Sequence, residues 1–174
     1  MEGRMDADVR IRAVGPRERD PLVGMYDRFD PLGVALGLPP VSAEARRVWI
    51  RRALGHKVNV AAFSPSGEVV GHCFLAADKP CSAELAIFVH QDSRRRGIGG
   101  ALVRAALEWG AAGGLRRVWT LTSSDNRAAL RLQESCGFRQ TTSVSTEVEL
   151  EIDLPVPAPQ VLVNPRAGSH QVLL

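Results

Sequence analysis

Residues 83–100 constrain this chain more than any other stretch. The run Ala83-Glu84-Leu85-Ala86-Ile87-Phe88-Val89 is short and largely apolar, as a buried strand would be. It leads into Arg94-Arg95-Arg96-Gly97-Ile98-Gly99-Gly100, a basic and glycine-rich segment that reads as a loop. Residues 101–112 then carry Leu102, Ala105, Ala106 and Trp109 at i, i+3, i+4 and i+7, the stripe of an amphipathic helix, which Gly113 and Gly114 stop. A loop that leaves the carboxyl end of a strand and opens a helix is where α/β folds bind ligands. Glycines let the chain turn tightly and let a ligand approach the amides. The helix start offers unpaired N–H groups and a partial positive charge. With three arginines alongside, the segment suits a phosphate or pyrophosphate.

The elements around this unit extend the same layout. Residues 9–14 alternate apolar and basic and read as a strand ended by Gly15-Pro16. Residues 17–29 carry an apolar stripe of Leu22, Val23, Met25, Tyr26 and Phe29 and read as a helix. Residues 30–40 are rich in Gly and Pro and read as a loop. Ser42 is an N-cap for a second helix reaching about Leu54. Residues 58–63 and 68–76 read as a hairpin around Ser64-Pro65-Ser66-Gly67. Residues 117–122 are a strand, and a helix capped by Ser124 or Asp125 follows to about Ser135. Gly137 suits a left-handed C-cap, with Phe138 packing back on the last turn. Residues 141–154 hold the last strands. The order predicts an α/β fold with a mixed sheet. One domain over residues 9–154 is expected, with a Pro-rich tail over 155–174.

Bulk properties narrow the class. No apolar run approaches the ~18 residues of a membrane span, and the first residues lack the apolar stretch of a signal peptide. Cys73, Cys81 and Cys136 are odd in number and lack metal-ligand spacing, so neither a disulfide framework nor a metal is expected, and a cytoplasmic location is. The net charge of +3 is too modest to name a polyanionic partner.

Three phosphate-binding patterns compete for residues 94–100. A P-loop needs Gly-Lys-Ser/Thr at its end, which is missing. A dinucleotide fingerprint needs a third glycine where Leu102 stands. Arg94-x-x-Gly97-x-Gly99 instead resembles the Gln/Arg-x-x-Gly-x-Gly/Ala loop of the GCN5-related N-acetyltransferase (GNAT) family. A second stretch, Asn126-x-x-Ala129-x-x-Leu132-x-x-x-x-Gly137-Phe138, is similar to that family's next helix, and the resemblance spans about residues 9–154. It implies a mixed central sheet flanked by about four helices, with two central parallel strands splayed to admit the cofactor arm. It implies acetyl-CoA as co-substrate, with backbone groups of Phe88 and Val89 on the pantetheine arm. The amides of Arg95, Arg96, Gly97, Ile98, Gly99 and Gly100 would hold the pyrophosphate beside Arg94, and Asn126 would contact the arm from across the cleft.

Acetyl transfer to an amine needs a base, because an ammonium cannot attack. Glu84 is the candidate: it begins the strand Ala83-Glu84-x-Ala86-x-x-Val89, which is similar to one in protein-lysine acetyltransferases of the family, where the glutamate is the base. The competing reading is an exposed strand glutamate. The amide near Phe88 or Val89 would steady the carbonyl oxygen. The sequence departs from the family where Gln133 stands in place of a common tyrosine; Ser135 and Cys136 are weak substitutes as acid. His56, His72, His90 and His170 form no ligand pattern, and Arg46, Arg47, Arg51 and Arg52 read as a solvated helix face or a site for an acidic partner. The expected partners are acetyl-CoA and an amine acceptor, on a protein lysine or a small molecule. Two other classes are weighed: an acyl-CoA-sensing module without turnover, and a nucleic-acid binder, which the 5% aromatic content disfavours.

Overall fold

The computed structural model describes residues 8–31, 37–144 and 146–155. Its frame is a seven-stranded mixed sheet. In chain order the strands are β1 (Arg10–Ala13), β2 (Val58–Phe63), β3 (Val69–Lys79), β4 (Ser82–Val89), β5 (Arg117–Ser123), β6 (Arg139–Val144) and β7 (Glu147–Asp153), and in space they run β1-β2-β3-β4-β5-β7-β6. Neighbours are antiparallel except β4 and β5. The helices are α1 (Arg19–Asp27), α2 (Ala43–Ala53), α3 (Ile98–Ala112) and α4 (Arg127–Ser135).

Alternation along the strands builds two cores. On β4, Ala83, Leu85, Ile87 and Val89 face α3, whose Ile98, Leu102, Val103 and Ala106 are buried against them. Ala86 and Phe88 face the other way, toward Leu22, Met25 and Tyr26 of α1 and Ile50 and Ala53 of α2. The second core also holds a polar chain. Asn59 donates from Nδ2 to the carbonyls of Ala53 (3.0 Å) and His56 (2.8 Å), which fixes its amide and leaves Oδ1 facing His72 Nε2 at 3.0 Å. His72 therefore carries its proton on Nε2, and its bare Nδ1 accepts the Tyr26 hydroxyl at 2.9 Å. Desolvation pushes the His72 imidazole down to about 3.

Most expected elements are present, and four differ for physical reasons. The helix expected over 17–29 begins as a 3-10 turn, Pro16–Glu18, because the Glu18 carboxylate accepts the Gly15 N–H at 2.9 Å. Helix α3 starts at Ile98, three residues early, because Gly99 and Gly100 adopt helical backbone despite their low propensity. Helix α4 is capped by Asn126, whose Oδ1 accepts the Ala129 N–H at 3.1 Å, and not by Ser124 or Asp125. Arg46 is not on a solvated face: it is buried, and it donates to Asp27 and to the carbonyls of Pro40 (2.9 Å) and Val41 (2.8 Å). Residues 32–36 of the expected 30–40 loop, and the tail from 156 onward, lie outside the described residues. Gly137 takes φ 94°, and Phe138 is buried, as expected of that cap.

Two stability outcomes follow from these polar contacts. Arg46→Met strands Asp27 and two carbonyls, and should lower the urea-unfolding free energy by about 2–4 kcal/mol. His72 stays neutral when folded but titrates near 6.5 when unfolded, so its contribution is fully present above that pH and is lost as pH falls toward 3. The wild type should therefore lose roughly 2 kcal/mol through this group between pH 6.5 and 5. The stability gap to His72→Gln should narrow over that range; a gap constant with pH would contradict the assignment.

Candidate active site

The site begins where two strands part. β4 and β5 are paired only at Ser82 with Arg117, Ala83 with Val118 and Glu84 with Trp119. Beyond Trp119, β5 continues against β7 while β4 continues against β3, so the edge of β4 from Leu85 to Val89 has no ladder partner on the β5 side. The register fixes which amides face that opening. His90 N–H bonds to Val70 C=O directly opposite, so Phe88 and His72 exchange hydrogen bonds and the amides of Val89 and Ile87 point away from β3. Phe88 thus turns its backbone to β3 and its ring to the α1–α2 side. Ile87 was not singled out in the sequence, because its role follows from register alone.

The opening leads to the start of α3. Its first helical bond runs from Ala101 N–H to Gly97 C=O at 3.2 Å, so the amides of Ile98, Gly99 and Gly100 lie ahead of the ladder. Gly97 caps the helix with φ 74°, a left-handed value that glycine adopts without strain, and Arg95 is left-handed too at φ 59°. Gly99 has a second reason to lack a side chain: a Cβ there would meet Leu132 of α4 at 3.1 Å. Arg104, one turn on, lays its guanidinium beside Gly100, with Nη1 3.2 Å from where a Cβ would stand. It adds a cation to the helix start; a side chain leaning toward the N-terminus is the only sequence signal for it.

Arg94 does something the motif does not announce. Its Nε donates to Val89 C=O at 3.0 Å, its Nη2 donates to Asp30 C=O, and its guanidinium stands 5.5 Å from the Phe29 ring centroid. Gln91 grips the same segment, accepting the Asp30 N–H at 3.1 Å and donating to Arg28 C=O at 2.8 Å. These two side chains tie the end of α1 to the loop before α3.

On the α1–α2 side of β4 lies a pocket of about 240 Å³. Leu38, Trp49, Phe74, Ala76, Ala86 and Phe88 form its walls, and among the described residues Glu84 is the only ionisable side chain lining it. The rings lock one another: Trp49 meets Phe88 edge-on at 5.3 Å and Tyr26 at 5.1 Å. Glu84 stands at the mouth. Partial burial raises its carboxyl above the ordinary carboxylate range, and the charge of Asp78 pushes the same way. Asp78 is held in place by an indole N–H from Trp119 at 3.0 Å. A larger hollow of about 360 Å³, near Arg17, Arg19 and Arg51, shares no residue with β4 or the glycine loop.

The remaining residues occupy fixed places. Asn126 is exposed, with its side-chain oxygen engaged in capping α4. Gln133 is buried against β5, donating to Thr120 Oγ1 at 3.3 Å, while its Oε1 has no hydrogen-bond partner among the described residues. Ser135 donates to Leu132 C=O at 2.7 Å, as a helix-end hydroxyl does. Among the described residues no group of three or more His, Cys, Asp or Glu side chains converges, and no helix is long and apolar enough to cross a membrane. Acetyl-CoA fits what is present: unpaired edge amides for an amide-bearing arm, and a cationic helix start for a pyrophosphate.

Comparison with known proteins agrees with this geometry. The model of the acetyltransferase (GNAT) family matches residues 25–138. L-methionine sulfoximine/L-methionine sulfone acetyltransferase of Pseudomonas aeruginosa is 27% identical over 138 residues, covering 74% of this chain and 78% of that one. The GNAT domain of S. lividans PAT superposes with a TM-score of 0.71 at 22% identity, over 84% of this chain and 90% of that domain. A phosphinothricin acetyltransferase from Sinorhizobium meliloti, solved in complex with acetyl-CoA, superposes with a TM-score of 0.69 at 16% identity, over 91% and 97%. The family match covers the parted strands, the glycine loop and the helix behind it, so the chain belongs to the GNAT family and is an acetyl-CoA-dependent N-acetyltransferase.

Proposed function

We propose that this enzyme transfers the acetyl group to a primary amine, on a protein lysine or a small molecule, held in the pocket beside β4, with Glu84 as general base. One observation carries the reading: the only carboxylate that lines the pocket among the described residues stands where β4 and β5 part. When bound, acetyl-CoA supplies the thioester that the amine attacks. Glu84 takes the proton that the ammonium must lose, and its raised pKa brings it closer to the working pH of a base. The Val89 and Ile87 amides point into the opening, where a carbonyl oxygen gaining charge would need donors. The amides of Ile98, Gly99 and Gly100, with Arg104, suit the pyrophosphate. Arg94 acts through the Asp30 segment, and Asn126 has its amide nitrogen left for the cofactor arm. Gln133 has no acidic proton, so the leaving sulfur, with an ordinary thiol pKa of about 8.5, is left to solvent.

In this reading residues 9–154 form the catalytic domain, with the Pro-rich 155–174 tail beyond it, and the enzyme works in the cytoplasm. Leu154 supports that boundary: it is buried and its N–H bonds to Arg116 C=O at 2.8 Å.

Thermal unfolding with saturating acetyl-CoA tests the cofactor side. Ligand at 100 times Kd should stabilise the fold by about 2.7 kcal/mol, with no comparable shift from ATP or NAD. Gly97→Ala, strained at its left-handed φ by about 1–2 kcal/mol, should weaken that binding. Steady-state CoA release tests the chemistry. Glu84→Gln should keep acetyl-CoA affinity and lower kcat by roughly 10²–10⁴-fold. A base must be deprotonated, so wild-type kcat should fall as pH drops through the raised Glu84 pKa. Asp78→Asn keeps an acceptor for Trp119 and removes the like charge, so the acid limb should move to lower pH. An acid limb that ignores both substitutions would take Glu84 out of the mechanism.

A further inference from the structure

The pocket's chemistry selects among amines, given the reading of Glu84 above. Its walls are apolar and aromatic, and among the described residues no lysine, arginine or histidine lines it. By sequence, residues 31–40 contain no ionisable side chain. The rim is negative. Glu84 is in register with Trp119, whose indole holds Asp78, so two carboxylates stand together at the mouth, while Glu151 on the far side of Trp119 is neutralised by Arg117. An ammonium entering here meets carboxylates at the mouth, which attract it, and its stem meets aromatic and apolar walls. A carboxylate entering here meets Glu84 and Asp78 at the mouth and, among the described lining residues, no cation; Arg117 is already paired with Glu151. The volume also matters. About 240 Å³ is below the ~300–1,000 Å³ that pockets use to enclose a whole small molecule, and suits one stem.

We infer that the acceptor site takes a primary amine at the end of an unbranched apolar stem, with no carboxylate near the amine, and turns away free α-amino acids. The chemistry is that of a lysine side chain or a plain alkylamine. It separates this enzyme from its Pseudomonas aeruginosa relative, whose name gives methionine sulfoximine and methionine sulfone as substrates.

The test pairs two amines that differ only in the carboxylate, n-pentylamine and L-norleucine, with the full chain and acetyl-CoA, reading CoA release. Nα-acetyl-lysine N-methylamide and L-methionine sulfone complete the panel. Pentylamine should exceed norleucine in kcat/KM by at least about a hundredfold, and the blocked lysine should exceed methionine sulfone likewise. Blocked lysine above pentylamine assigns the stem to a polypeptide; the reverse assigns it to a free alkylamine. Ala76→Arg, which places a cation in the wall, should narrow the pentylamine-to-norleucine ratio. Comparable turnover of norleucine or methionine sulfone, or no turnover of either carboxylate-free amine, would overturn the inference. Failure of the base assignment looks different: the selectivity would persist while Glu84→Gln kept wild-type turnover.

Discussion

Everything at this site depends on one interruption in hydrogen bonding. Two parallel strands pair for three residues and then separate, so the amides of Ile87 and Val89 face a gap instead of a neighbouring strand. Backbone polar groups do not stay unsatisfied away from water. An edge of this kind is a template for an extended, amide-bearing ligand, and the same parting puts the α3 amides at one end of the gap and Glu84 at the other. The open edge amides, the free amides of α3 and the position of Glu84 are thus consequences of where a single ladder stops.

Holding two strands apart requires that each be held elsewhere. β4 is anchored to β3 along its length, and β5 to β7 along its own. Behind β4, α3 fills one core; in front, Tyr26, Trp49, Phe74 and Phe88 pack edge to face in the other. The Tyr26–His72–Asn59 chain ties α1 and β3 to the end of α2 through hydrogen bonds whose proton positions are fixed throughout. The aromatic pocket is rigid because its rings rest on a buried polar chain with a single satisfied arrangement.

The sequence made this frame readable where structure is local. Strand alternation, the α3 stripe, the Gly97 and Gly137 positions and the Ser42 cap each follow from neighbouring residues, and so did the family. Long-range partners were not readable in the same way. Trp49 and Phe74 reach Glu84 from different elements, and Gln91 meets Arg28 and Asp30 across some sixty residues. Arg94 and Arg46 make contacts that their sequence context did not announce. One read as a phosphate cation and the other as a solvated charge, yet both bind backbone carbonyls. A guanidinium has five donors, and composition does not say which acceptors they find. The separation of the Val89 and Phe88 amides likewise needed the register, because a shift of one residue exchanges the two edges of a strand.

Those two arginines share a further property. Gln91 and Arg94 fasten the chain at Arg28 and Asp30, and Arg46 fastens it again at Pro40 and Val41. The nine residues between Asp30 and Pro40 are therefore bounded at both ends by contacts made to main-chain atoms, which every amino acid possesses. Substitution within 31–39 leaves those anchoring atoms in place, and Gly37 and Leu38 of that interval line the pocket beside β4. That interval is in effect a replaceable insert: its side chains can be rewritten without removing any of the main-chain atoms that fasten its two ends.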